Sequence, residues 1–256
     1  MCATCGCSQP TGPHHHHHGH HHDHDHGPHH LHPDPSGSRV VNLAQSLLAQ
    51  NDRFAEQNRG ILKAHHILAA NLMSSPGSGK TALLERTLAD LMPELRIAVI
   101  VGDLATENDA ARLRKTGAPA HQIMTGTACH LDAHAVQHAF DHLDLPSLHI
   151  LFIENVGNLV CPASFDLGER LKVVVMSVTE GEDKPLKYPS MFQRADIVLI
   201  NKIDLAHAAG YHEPTALANL KSAAPQAQII PCSAKTGQGM DQWYNALRTH
   251  LPPRNP

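Results

Sequence analysis

Short apolar runs alternate with amphipathic stretches along most of this chain, and the alternation predicts its elements. Val40 to about His66 carries apolar residues at Val40, Leu43, Leu47, Leu48, Phe54 and Ile61, a helical spacing with no visible chemistry. Beyond it, buried-strand patterns are expected at Ile67–Met73, Arg96–Val101, His121–Met124, Leu148–Ile153, Leu171–Val178, Ala195–Ile200 and Gln228–Cys232. Helices are expected between them at Thr81–Leu91, Ala105–Lys115 and Cys129–Leu143, with two helix–strand units closing the chain. The pattern predicts an α/β fold, a mostly parallel sheet with helices on both faces and ligands at the carboxyl ends of the strands.

The first strand runs into Ser74-Ser75-Pro76-Gly77-Ser78-Gly79-Lys80-Thr81, one residue short of the phosphate-binding pattern G-x-x-x-x-G-K-[ST], because Ser74 stands at the first glycine. Pro76, Gly77, Ser78 and Gly79 supply a backbone able to close on an anion. Lys80 suits β/γ-phosphate oxygens, and the Thr81 hydroxyl suits Mg²⁺. A later apolar strand enters Asn201-Lys202-Ile203-Asp204, the guanine signature of GTPases. A carboxylate at 204 accepts two hydrogen bonds from guanine, whereas adenine would leave it unpaired. Ser233-Ala234-Lys235 follows the last strand as the loop expected beside the guanine oxygen. The nucleotide is therefore read as GTP. Asp103 is expected to share Mg²⁺ with Thr81, and Glu154 is a candidate outer contact to that ion. No Gln follows Gly157 to orient an attacking water, so slow turnover is expected.

The first 38 residues differ from everything after them. Between His14 and His32, 13 of 19 positions are histidine, interrupted by Gly, Pro, Leu and Asp. Such a segment has almost nothing to bury, so residues 1–38 are expected to be a disordered metal-binding tail ahead of a GTPase domain at 39–256. Its imidazoles suit Ni²⁺, Zn²⁺, Co²⁺ or Cu²⁺. Cys2, Cys5 and Cys7 place three soft ligands within one turn, fitting planar Ni²⁺ or tetrahedral Zn²⁺.

Charge and composition narrow the partners. A net charge of −4 with histidine neutral offers no basic patch for nucleic acid. No apolar run is long enough to span a bilayer, and the N-terminus lacks the apolar core of a signal peptide. Cysteines placed as metal ligands fit a reducing cytoplasm.

Taken together, Asn71–Thr81, Gly102–Asp109, Cys129–Ala133 and Glu154–Pro162 resemble the hydrogenase nickel-incorporation GTPases of the HypB family, a dimerising class of phosphate-loop GTPases. The resemblance covers residues 40 to 256, and the tail is similar to that of nickel-storing members. It implies a second site, Cys129, His130 and Cys161, binding Ni²⁺ or Zn²⁺ near a dimer interface. It also implies a nucleotide-dependent homodimer, a partner chaperone and the hydrogenase large subunit as recipient. A urease accessory GTPase would be expected to carry Cys-Pro-His, where this chain has Cys129-His130. A nickel-buffering protein with an incidental G domain is the remaining alternative.

Overall fold

The computed structural model describes residues 35–103 and 107–253, with side chains from residue 45 onward. Cys2, Cys5, Cys7 and the histidine run lie outside the described residues, as do positions 104–106.

Helix α1 (Pro35–Ala64) leads into β1 (Leu68–Ser74), and α2 (Lys80–Leu91) follows the phosphate loop. Next come β2 (Ile97–Asp103), α3 (Asn108–Arg114), β3 (Ala120–Met124), α4 (Ala133–Phe140) and β4 (Ile150–Glu154). After β5 (Leu171–Ser177), two single-turn helices, α5 (Lys184–Lys187) and α6 (Pro189–Phe192), lead to β6 (Ile197–Asn201). Helix α7 (Glu213–Ala223), β7 (Gln228–Pro231) and α8 (Met240–His250) complete the domain.

The strands form one seven-stranded sheet in the order β3-β2-β4-β1-β5-β6-β7, parallel at every pairing. Strand alternation sends Leu68, Ala70 and Leu72 to one face, where α2, α3 and α8 contribute Leu83, Leu88, Leu113, Trp243 and Leu247. Ala69 and Ile100 face α1 and α4, whose Leu62, Val136 and Phe140 cover them. Met73, Val174 and Ile200 lie under Phe192 and Leu220 of α6 and α7. Burial on both faces explains why the strands read as continuous apolar runs.

Three expectations need correction. The helix expected from Cys129 begins only at Ala133, because Asp132 caps it by accepting from the Ala135 N–H at 2.8 Å, and it ends at Phe140 rather than Leu143. Cys129 and His130 therefore sit on a loop. The chain closes with one helix–strand unit and a final helix, not two units. Helix α1 starts at Pro35, five residues before Val40.

Helix α1 also has a task its sequence pattern did not show. Asn58 Nδ2 donates to the carbonyls of Ala133 (2.8 Å) and Leu167 (3.0 Å), and Asn51 Oδ1 accepts from the Ala133 N–H at 2.9 Å. Two buried asparagines thus pin the first residue of α4, three positions past His130, to α1.

Candidate functional site: a nucleotide cleft beside a thiolate–imidazole cluster

The strand ends supply the site. β1 and β6 end in Ser74 and Asn201, while the neighbouring strands β2 and β4 end in Asp103 and Glu154, with Glu154 opposite Val101. Between β1 and α2 the chain turns through Gly77 (φ 77°) and Gly79 (φ 96°). A Cβ on Gly79 would stand 2.7 Å from Asn201 Nδ2, so both backbone conformation and space demand glycine there. Gly79 is the N-terminal boundary of α2 and no side chain caps it, so the first N–H groups of the helix are left for an anion.

The departure at Ser74 has a structural role. Lys80 Nζ donates to Ser74 Oγ at 2.9 Å, and Ser74 Oγ donates to the Ser75 carbonyl at 2.6 Å. Burial holds Lys80 below the ordinary lysine range, opposed chiefly by Glu154. Thr81 Oγ1 donates to Glu154 Oε1 at 2.7 Å, so Glu154 contacts the expected Mg²⁺ ligand directly. Burial pushes the Glu154 carboxyl up to about 7 against the pull of Lys80 and Thr81. Its Oε2 and the Ser78 hydroxyl are buried with no hydrogen-bond partner among the described residues. A buried acidic oxygen beside a threonine hydroxyl fits a hydrated cation, and an uncapped helix start beside a lysine fits phosphate.

The base end is already wired. Asn201 Nδ2 donates to the Ser78 carbonyl at 3.0 Å, and its Oδ1 accepts from the N–H groups of Lys202 (2.8 Å) and Ala234 (3.2 Å). Lys202, held at φ 62°, reaches across the phosphate loop to the Gly77 carbonyl at 2.6 Å. Ser233 Oγ donates to Asp204 Oδ1 at 2.6 Å, and Lys235 lies exposed in the same loop. Pro76 meets the loop after β4, where a Cβ on Gly157 would come within 3.3 Å of it.

The predicted sulfur–nitrogen cluster assembles. Ligand atoms of Cys129, His130 and Cys161 lie within 4.8 Å of one another, and Cys129 Sγ is 3.8 Å from His130 Nδ1. The His130 ring stacks on Phe165 at 3.8 Å, and burial pulls its imidazole below the ordinary value, favouring the neutral form that ligates. Asn158 Oδ1 accepts from the N–H groups of Val160 (2.7 Å) and Cys161 (3.3 Å), shaping the turn that presents the buried thiol. Two thiolates and an imidazole suit Ni²⁺ or Zn²⁺.

Two sets of residues emerge only from the fold. Asn155 Oδ1 accepts from the Leu131 N–H at 3.2 Å and its Nδ2 donates to Asn71 Oδ1 at 3.3 Å, and Asn71 in turn donates to Glu169 at 3.1 Å. This buried chain ties the loop after Glu154 to the loop carrying His130. The other set is Lys184, which donates to Ser75 Oγ at 2.6 Å and pairs with Glu180 at 2.9 Å, while Ser75 also contacts Glu180. A lysine thus reaches the start of the phosphate loop from outside it. Ser177-x-x-Glu180 is a capping box legible in sequence and could have flagged this corner.

Fold and site define a phosphate-loop nucleotide-binding protein whose metal-type ligands lie on two loops, one of them leaving the nucleotide cleft after Glu154. Residues 68–231 match the family described as CobW/HypB/UreG, nucleotide-binding domain. The hydrogenase maturation factor HypB of Rhizobium leguminosarum bv. viciae is 52% identical over 212 residues, covering 83% of this chain and 71% of that protein. The crystal structure of HypB from Archaeoglobus fulgidus superposes with a TM-score of 0.75 at 44% identity, covering 80% of this chain and all of that one. HypB from Helicobacter pylori, solved in complex with nickel, gives the same TM-score at 40% identity over 81% of this chain and 99% of the other. The chain belongs to the HypB hydrogenase maturation factors within the CobW/HypB/UreG family.

Proposed function

We propose that the protein hydrolyses GTP and uses the cycle to deliver nickel during [NiFe]-hydrogenase maturation. One observation carries this reading: Glu154 holds the Thr81 hydroxyl, and seven residues along the same loop Cys161 completes the thiolate–imidazole cluster.

In the hydrolytic half, Asp204 and the Ser233–Lys235 loop hold guanine, and the Gly77–Lys80 backbone with Lys80 Nζ holds the phosphates. Mg²⁺, when bound, supplies positive charge to the β/γ oxygens, and Thr81 and Asp103 are the residues that would hold it. Water attacks the γ-phosphorus, the bond to the bridging oxygen breaks, and GDP and phosphate leave. Glu154 fixes the Thr81 hydroxyl throughout.

In the cargo half, Cys129, His130 and Cys161 take Ni²⁺, with Zn²⁺ a competitor of the same coordination class. The nickel bound by the Helicobacter pylori relative supports this assignment. Asn155 couples the halves, since its Leu131 bond moves with the loop that follows Glu154. Exposed Met124, at the end of β3, and exposed Val160, on the loop after β4, support a GTP-dependent homodimer. The Cys2-Cys5-Cys7 and histidine tail at 1–38 serves as the nickel store, and a partner chaperone and the hydrogenase large subunit follow as recipients in the cytoplasm.

The test is complementation of a deletion strain at limiting nickel. Cys161→Ala should leave hydrogenase activity low while the purified variant still hydrolyses GTP. Full activity from that variant would break the link between cluster and maturation.

A further inference from the structure

Histidine recurs at every fourth position from just before α4 to just past it, at 130, 134, 138 and 142. Two of these rings meet. His134 and His138 place their Nε2 atoms 3.1 Å apart with ring planes at 80°, and both are exposed. The helix buries its opposite side through Val136, Ala139 and Phe140, so the pair contributes nothing to the core. The Phe54 ring of α1 packs on His134 at 4.5 Å, and Gln137 donates to Gln57 of α1 at 3.1 Å. The pair is thus braced by a neighbouring helix.

The separation fits a chelate. Metal–imidazole bonds of about 2.0–2.1 Å place two nitrogens about 2.8–3.4 Å apart, from right-angle to tetrahedral coordination. At 3.1 Å, the two Nε2 atoms fall inside that range. Imidazole selects the later divalent transition ions, and two histidines at i and i+4 present their rings from one face.

We propose that His134 and His138 form a two-imidazole site for a divalent ion of the Ni²⁺, Cu²⁺ and Zn²⁺ class on the outer face of α4. Water completes the coordination, so the site is open and exchanges its ion readily. It is distinct from the Cys129–His130–Cys161 cluster, whose ligand atoms converge on themselves within 4.8 Å. His130 lies four residues from His134, so an ion caught here is close to the thiolate site. This staging role rests on the nickel reading of that cluster, whereas the chelate itself does not.

Residue-resolved carbethoxylation of the full chain tests it, with NiCl₂ in excess of the chain's histidines and each position read by peptide mass spectrometry. His134 and His138 should be modified about tenfold more slowly when the ion leaves about a tenth of the sites free. His207, exposed on another surface, serves as the reference and should not change. In His134→Gln the protection of His138 should disappear, because a single imidazole is no chelate. Equal modification rates with and without Ni²⁺, or protection of His138 that survives His134→Gln, would overturn the site. Alkylation of Cys129 in the same samples reports the thiolate cluster separately. An unprotected Cys129 beside protected His134 and His138 would remove the staging role and leave the chelate standing.

Discussion

The guanine end of the cleft and the Cys129–His130–Cys161 cluster lie in one domain but are built differently. At the guanine end, Asn201 uses both ends of its amide on backbone groups, Lys202 spans to Gly77, and Ser233 holds Asp204. These residues stand at or just past strand ends and hold one another directly. The cluster stands on two loops. Its ligand atoms are placed through other side chains, Asn155 holding the Leu131 N–H of one loop and Asn158 the Cys161 N–H of the other, with Asn58 and Asn51 anchoring Ala133. A site assembled this way can change when its loops move, which a switch requires and a base-recognition pocket must avoid.

The most drastic way to break this contrast is at the base. Asp204→Asn should lower GTP affinity by at least about a hundredfold, because an amide donor then faces the donors of guanine. Xanthine nucleotides should gain relative to GTP in a competition assay. Retained GTP preference would mean that base recognition does not run through Asp204.

Asn155→Ala sharpens the contrast from the other side. It leaves every metal ligand and phosphate contact in place but frees the Leu131 and Val156 N–H groups and the side-chain oxygen of Asn71. Nickel affinity of the cluster should fall about 10–100-fold, as for other outer partners of metal ligands. Any difference in affinity between GDP and GTP-analogue states should shrink, while nucleotide affinity itself moves little. A variant with wild-type nickel affinity in both states would show that Asn155 does not position the cluster.

Glu154 tests the cost of preorganisation. Its folded pKa of about 7 lies above the ordinary carboxyl value of 4.5, so the folded state binds the extra proton between those values. In nucleotide-free protein with chelator, the stability contributed by protonated Glu154 is present below about pH 4.5 and lost as pH rises through 7. Glu154→Gln should therefore be more stable than wild type at pH 8, by up to about 3 kcal/mol, with the gap closing toward pH 4.5. Urea midpoints across that range read it. A gap independent of pH would assign the effect to packing.

The smallest effect is expected from the tail. Deleting residues 14–32 should remove several bound nickel ions per chain yet change GTP turnover less than about twofold, since the segment carries no part of the G domain's chemistry. A large loss of turnover would make the tail part of the catalytic unit.

Local chemistry made much of this protein legible in its sequence. Apolar runs between turn residues mark strands because a sheet covered on both faces must bury both sides of each strand. The loop through Gly79-Lys80-Thr81 and the Asn201-Lys202-Ile203-Asp204 stretch are contiguous, so their spacing alone carries the chemistry. The pattern extends the helix back to Cys129, whereas Asp132, capturing the Ala135 N–H, ends the loop and starts α4 at Ala133. The contacts of Asn51 and Asn58 with Ala133, of Asn58 with Leu167, of Asn71 with Glu169 and of Asn155 with Asn71 join residues 75 or more positions apart, with no local pattern to announce them. Lys184 reaches Ser75 over a separation of 109 residues, and only the Ser177-x-x-Glu180 capping box marks that corner locally. Sequence determined the ligand classes, since hydrogen-bonding and coordinating groups are properties of residues. Tertiary structure decided which of them share a loop, a proton or an ion, because a parallel sheet brings distant strand ends together along a single edge.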